Sequence, residues 1–460
     1  MAESMIAADS EIGEELQQIR AERADTEKKL NEALGENKVD KQYIESLDRR
    51  LKQLDNLAEI ADPVRKAKAL DILQNGDPVE YILNVYSRLH VGDNQIGKVL
   101  LLSIASQSVL NSEGLQPKLS GASGKGKTHA AKAIFHLIPD VGYKLAGSLS
   151  AKSMYYYPDL KPGTVIFSDD IRINADLEDT LKRAMTNFQQ PTLHRTVAHE
   201  GYKELEIPER IAWWLTSVDS PFSDELLNRL FGLDVDDSTG QDEAVTRQQL
   251  EQAKYGDVAL PEDDDVKVCR AIIHEVKKKL FTVIIPYSDL IDWKGAGDRR
   301  NLPRFLDLIR GFAALRFMQR MEFSDIEILA GLKDFEDAKA LYEQGKVGLS
   351  TKLTKADLRL VTWMVGKGRL SINDIVEKYL KPNGGQYTSE AIRKTLEGKR
   401  GGKGLTDKVP GMMVHGSGGK GDEKKYEIPS FEDGSSLDIV SLKPEAYEKF
   451  ADGTTDCPTS

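Results

Sequence analysis

Eight consecutive residues constrain this chain more than any other stretch: Gly121, Ala122, Ser123, Gly124, Lys125, Gly126, Lys127 and Thr128. They fit the spacing Gly-x4-Gly-Lys-[Ser/Thr]. A short stretch at 116–120, read as a strand, precedes them, and the helix-prone run HAAKAIFHL follows at 129–137. A glycine-rich turn between a strand and a helix can aim successive backbone N–H groups inward, and the helix start adds its positive dipole end. Such a turn holds phosphates. Lys127 supplies a mobile cation for the β- and γ-phosphates, and the Thr128 hydroxyl is placed to ligate Mg2+. The expected ligand is ATP with Mg2+.

Further residues answer what such a loop needs. Residues 164–170, Thr-Val-Ile-Phe-Ser-Asp-Asp, read as an apolar strand ending in two carboxylates. Asp169 is expected to hold Mg2+ through water, and Asp170 to polarise the attacking water. Residues 211–217 form another apolar run, ending in the hydroxyls of Thr216 and Ser217. Expected strands at 116–120, 142–145, 164–168 and 211–217 alternate with expected helices at 127–137 and 175–187. That alternation predicts an α/β sheet with covered faces.

Composition narrows the class. Of 460 residues, 40% are hydrophobic and 30% charged, a globular balance. The apolar stretch at 99–105, interrupted by Ser103, falls far short of the ~20 residues a membrane-spanning helix needs. The N-terminus is acidic and lacks the basic-then-apolar order of a secretion signal. Cys269 and Cys457 make neither a disulfide framework nor a zinc site. A cytoplasmic protein with no membrane contact is expected. The net charge of −11 excludes a uniformly basic nucleic-acid coat.

The flanks suggest further modules. Residues 1–62 read as a helical hairpin or coiled coil, broken at 35–38, which could receive a protein partner. A core at 63–235 leads into an acidic connector, then helices at 264–280, 301–320 and 324–345, grouped as a helical lid over 236–350. Residues 351–430 carry sixteen Lys and Arg against nine Asp and Glu. Three helices followed by two short strands around Gly416–Gly421 predict a winged helix there. Arg393, Lys394, Lys399, Arg400 and Lys403 cluster on and after its third helix, and Lys420, Lys424 and Lys425 flank the wing, a surface suited to DNA phosphates. Residues 431–460, with seven acidic and two basic residues, are expected to be a flexible tail.

The order of these elements resembles the AAA+ ATPases. By that resemblance Thr216 or Ser217 is the sensor 1 residue. Arg229, in Ser-Asp-Glu-Leu-Leu-Asn-Arg-Leu-Phe at 223–231, is a helix-borne arginine finger for a neighbouring subunit. Residues 192–208 read strand, turn, strand, the hairpin of the pre-sensor-1 group. AMTNFQQPTLHRTV at 184–197 resembles a segment of minichromosome maintenance (MCM) helicases, and 299–320 resembles their lid. This makes Arg304 the choice for sensor 2, with Arg299 and Arg300 as alternates; the spacing is one residue short of the family's. The likeness spans roughly 95–430 and has no counterpart of the MCM zinc-bearing domain.

The resemblance implies an α/β AAA+ P-loop core with helical lid and winged helix. It implies an ATP-dependent DNA helicase or translocase in replication. The motor would be a hexameric ring gripping single-stranded DNA in its pore with His199, Tyr202 and Lys203. The architecture suits a mobile genetic element. An initiator or loader, or a protein-remodelling ATPase, are the alternatives. Tyr155, Tyr156 and Tyr157 are expected to pack on the domain rather than line a pore.

Overall fold

The computed structural model describes residues 2–35, 40–147, 150–157, 160–171, 173–198, 201–217, 222–256, 260–293, 301–349, 355–381, 384–398, 404–408, 412–417, 422–428 and 440–450. His199, Arg299, Arg300, Lys399, Arg400, Lys403, Lys420 and Cys457 lie outside them. The chain divides into two units: residues 1–290, 303–338 and 444–460, and residues 291–302 and 339–443.

In the first unit, α1 (Ala2–Leu34) and α2 (Lys41–Ile60) form a helical pair tied by ion pairs Arg23–Asp55 at 2.6 Å and Arg50–Glu22 at 2.6 Å. The pair is bound to its own unit. Glu15 of α1 contacts Lys66, and Lys278 at 2.5 Å. α3 (Pro63–Asn75) and α4 (Pro78–Leu89) each start with an Asp cap followed by Pro, which pre-sets the first turn. α5 (Asn94–Ser106) is buried along most of its length.

The centre is a parallel sheet built from β1 (Pro117–Ser120), β2 (Lys144–Ala146), β3 (Val165–Ser168), β6 (Ala212–Ser217) and β7 (Phe231–Asp234). Their order is β2-β3-β6-β1-β7. Connecting them are α6 (Lys127–Leu137), α7 (Ser153–Tyr156), α8 (Ala175–Thr186) and α9 (Asp224–Leu227). β4 (Thr192–Ala198) and β5 (Gly201–Ile207) form a separate two-stranded hairpin before β6. The pleat sends Trp213 and Trp214 to opposite faces. Trp213 joins Ile166, Leu177 and Leu181, whereas Trp214 meets Phe135 edge-on at 6.2 Å and donates to Ser103 Oγ of α5 at 3.1 Å. Burial on both faces explains the nearly continuous apolar runs.

Several expectations are corrected. β7 begins at Phe231, the last residue of the stretch read as an arginine box. α10 (Thr239–Tyr255) fills the expected acidic connector, capped by Ser238. After α11 (Asp264–Lys277), β8 (Thr282–Ile284) pairs with Glu327–Leu329, which pairs with Glu322–Ser324. This small sheet stands where a helix from 324 was expected; the helix runs Leu332–Leu349, after α12 (Asn301–Leu315). Pairing with β8 buries Ile328 and Leu329, which outweighs local helical tendency. The region expected as a wholly helical lid is therefore mixed. The expected flexible tail contains a strand, Val440–Leu442, and a helix, Pro444–Phe450. Phe450 meets the Tyr287 ring at 6.0 Å, and Ala446 is fully buried.

In the second unit, Val440–Leu442 pairs with Ile291–Trp293. Helices Lys355–Met364, Ile372–Lys378 and Ser389–Glu397 cover an antiparallel sheet of Leu370–Ser371, Lys425–Glu427 and Met413–His415. Leu360, Met364, Ile375, Leu396 and Tyr426 form its core. Among the described residues no helix is long and apolar enough to cross a membrane.

One core group predicts a pH response. His274 of α11 is buried, and its Nδ1 has no hydrogen-bond partner. Burial, then Lys278, pushes its pKa down to about 4. The unfolded chain takes up this proton near pH 6.5 and the folded one only near 4, so stability falls as pH drops through that window, by about 3 kcal/mol. Urea melts of the natural chain and His274→Gln at pH 7 and pH 4.5 should show the gap between them narrowing in acid. A constant gap would contradict the assignment.

Candidate nucleotide-binding site

The loop between β1 and α6 turns on three glycines. Gly121, Gly124 and Gly126 have φ of +148°, +80° and +87°, where a side chain is strained. A Cβ on Gly121 would also lie 2.5 Å from Val235 Cγ2. Ala122, Ser123 and Gly124 face solvent. Lys127 arcs back over the loop, and its Nζ donates to the carbonyls of Gly121 and Ala122 at 2.8 and 2.9 Å.

Three hydroxyl and carboxylate groups converge beside it. Thr128 Oγ1 donates to Asp169 Oδ1 at 2.7 Å, and Thr216 Oγ1 donates to the same oxygen at 2.6 Å. The Asp170 backbone N–H donates to Thr216 Oγ1 at 2.8 Å. Strand order explains the meeting. β6 lies between β1 and β3, so its end stands between the loop and Asp169. The site therefore opens at the carboxyl ends of the strands, the usual crevice of an open α/β sheet. Asp170 has φ +46°, a left-handed conformation that Asp tolerates better than most residues. Both aspartates are exposed. Ser217 is buried and its Oγ has no partner. The pleat thus selects Thr216 over Ser217 as the hydroxyl that touches Asp169.

Thr128 and Asp169 offer hard oxygen donors suited to Mg2+. Among the described residues no group of three or more His, Cys, Asp or Glu could hold a metal alone. A cation here would rely on phosphate oxygens and water as well, as Mg2+ commonly does.

A supporting frame was not anticipated from the sequence. His90 Nε2 lies 3.0 Å from Asp93 Oδ2, and His90 Nδ1 lies 2.9 Å from His129 Nδ1, next to Thr128. Asp93 Oδ1 accepts from the Asp236 N–H at 2.8 Å. Lys125 pairs with Asp242 at 2.6 Å, and Gln241 donates to the Val91 carbonyl. Burial, then His90 and Lys132, holds the His129 pKa below the usual histidine range. The left-handed pair Gly92-Asp93 was the available signal, since Gly-Asp marks a turn.

Residues 62–279 match the family model described as the MTBMA_p00010 P-loop domain. This chain carries a P-loop domain. An uncharacterized protein of Methanothermobacter marburgensis, MTBMA_p00010, is 26% identical over 270 residues, covering 56% of this chain and 32% of that protein. The chain thus matches about a third of that relative's length. A P-loop domain binds a nucleoside triphosphate, typically with Mg2+, and points to NTP hydrolysis.

Within the P-loop domain, Arg229 follows α9 rather than standing on it. Its Nε donates to Thr186 Oγ1 at 3.0 Å and a terminal N–H to the Glu225 carbonyl at 2.7 Å. Arg304 of α12 donates to the carbonyl of Asn228, the residue before Arg229. The structure thus groups Arg304 with Arg229, and Thr128, Asp169 and Thr216 with one another. Arg229 borders a 510 Å3 cleft with Lys182, Arg183 and Glu225.

On the hairpin, Tyr202 is 65% exposed and its hydroxyl donates to Glu204 at 3.2 Å. Arg195 pairs with the same carboxylate at 2.7 Å. Lys203 is half-buried. Of the three tyrosines expected to pack inward, only Tyr155 does, against His194 at 5.0 Å; Tyr156 and Tyr157 are exposed. In the second unit, Lys394 pairs with Glu390 at 2.7 Å and Lys424 with Glu397 at 2.9 Å. Arg393 borders a cleft that also holds Asp422 and Glu423. Among the described residues of this unit, these basic groups are interleaved with acids.

Proposed function

We propose that this chain is an MCM-like AAA+ ATPase that assembles as a hexameric ring and moves along DNA. The observation that carries the reading is the position of β6. It lies between β1 and β3, ends in Thr216 on Asp169, and is preceded by the β4–β5 hairpin. The second unit, with three helices over a three-stranded sheet, supports a winged-helix reading.

In this reading the N–H groups of the loop and Lys127 hold the triphosphate. Thr128 and Asp169 would hold Mg2+, which would neutralise phosphate charge. Asp170 takes the proton of the attacking water as its oxygen bonds to the γ-phosphorus and the β–γ bridging oxygen leaves with the electron pair. Thr216 orients this water or the γ-phosphate. Arg229, with Arg304 beside it, serves the nucleotide of the adjoining subunit, where a planar guanidinium suits charge spread over equatorial oxygens. Hairpin tips couple each turnover to a strand of DNA, and residues 1–62 remain a surface for a protein partner.

Two measurements test this: ATP hydrolysis with and without single-stranded DNA, and strand displacement on a forked duplex. Absence of any DNA stimulation would sink the motor reading. Stimulation without displacement would favour a loader. The exposed Tyr156 and Tyr157 favour protein remodelling as the second reading. Tyr202→Ala combined with Lys203→Ala should leave basal hydrolysis intact but remove most DNA stimulation, because base stacking and a phosphate contact vanish together. Full stimulation in the double variant would move the grip elsewhere.

A further inference from the structure

We propose that a cleft between α2 and the outer edge of the sheet binds a phosphate or phosphate ester, separately from the glycine-rich loop. The cleft has a volume of 190 Å3, and Arg49 and Lys52 of α2, Lys144 of β2 and Tyr157 line it. It opens where β2 and β3 begin, at Lys144 and Val165, whereas the glycine-rich loop follows the end of β1. The two sites stand at opposite ends of the sheet.

The floor is Gly142, with φ +89°. A Cβ there would lie 3.5 Å from Lys161 Nζ and 3.6 Å from Gln53 Nε2, so further donors converge on a position without a side chain. Four cations therefore surround this space, and among the lining residues Asp140 is the one carboxylate. Lys144 Nζ donates to the Ile138 carbonyl at 2.8 Å, which leaves two N–H bonds for a ligand. Burial pushes the Lys144 pKa down to about 8, against the pull of Asp140 and Glu262 and with the help of Arg270. An ammonium with too little counter-charge is stabilised by an added anion. Water fills ~30 Å3 per molecule in the liquid, so the space suits a tetrahedral oxyanion and its waters. Ligand clefts for whole nucleotides run larger, upward of ~300 Å3.

The same chemistry is offered by free phosphate and by the backbone of a nucleic-acid strand, and the test separates them. Full-length protein carrying Lys127→Ala is titrated with inorganic phosphate and pyrophosphate by calorimetry, and with oligothymidylate by fluorescence anisotropy. Arg49→Gln with Lys144→Gln should weaken binding at least about tenfold, since charged hydrogen bonds are lost. Lys52→Gln, on the exposed face of α2, should weaken it about threefold, and it decides the matter if the double variant does not fold. Lys254→Gln, a remote exposed lysine, should change nothing. Loss in the phosphate arms assigns a free-anion site, and loss with oligothymidylate alone assigns a backbone contact. If no probe binds, if the cleft variants bind unchanged, or if Lys254→Gln loses as much, the proposal is overturned. Each outcome is read from the cleft variants within one background, so it is independent of whether the protein hydrolyses ATP.

Discussion

Lys127→Ala protein is expected to lose ATP hydrolysis by at least about 10³-fold. One preorganised donor aimed at developing charge is already worth ~10²–10³ in turnover, and Lys127 also holds the ground-state phosphates. Its Nζ now spans the loop between the Gly121 and Ala122 carbonyls. The side chain is therefore poised above the turn that would receive phosphate, and among the described residues no other lysine has this position: Lys125 is drawn away by Asp242. Steady-state phosphate release, with circular dichroism to confirm the fold, measures the loss. Turnover near that of the natural chain would remove the loop from the chemistry.

Arg229→Ala is expected to bind nucleotide normally and to lose about 10³-fold or more in turnover, the scale of arginine fingers supplied across an interface. The structure sharpens this expectation. Arg229 is held by Thr186 and Glu225, partners on the surface of its own subunit, while Thr128, Asp169 and Thr216 bond among themselves. In the proposed ring the arginine would exchange those bonds for a phosphate on a neighbour. Its removal should cost little stability, because the Glu225 ion pair is exposed on one side. Mixing Arg229→Ala with Lys127→Ala protein should restore part of the activity, since a ring containing both has some complete interfaces. A strict absence of recovery at every ratio would argue that sites are not shared.

The parts legible in the sequence were those with local causes. The glycines at 121, 124 and 126 are demanded by backbone angles, and the residues themselves announce that demand. The apolar runs of β3 and β6 follow from burial on both faces of a parallel sheet. What stayed hidden depends on distant partners. Phe231–Asp234 is a strand because it pairs with Pro117–Ser120, more than a hundred residues earlier in the chain. Glu327–Leu329 is a strand because β8 lies beside it. The choice between Thr216 and Ser217 turns on which neighbour faces Asp169, a matter of pleat. His90, Asp93 and His129 meet only once α4 and α6 are stacked, so no spacing reveals them. The seat of Arg229 after α9 reflects a helix that ends at Leu227, two residues before the arginine it was expected to carry.

The Thr216 hydroxyl has a single proton, and Asp169 receives it. With an oxygen lone pair Thr216 in turn accepts the Asp170 peptide N–H. Donation therefore runs in one direction, from the main chain that carries the candidate base, through the hydroxyl, to the carboxylate of Asp169. Any event that draws electron density from Asp169 loosens its claim on that proton and retunes the grip on Asp170. A valine at this position would keep the methyl and the shape of the strand while cutting both ends of the wire at once. The carboxylate of Asp169 and the main chain of Asp170 are joined through one hydroxyl rotor, so a change at either is felt at the other.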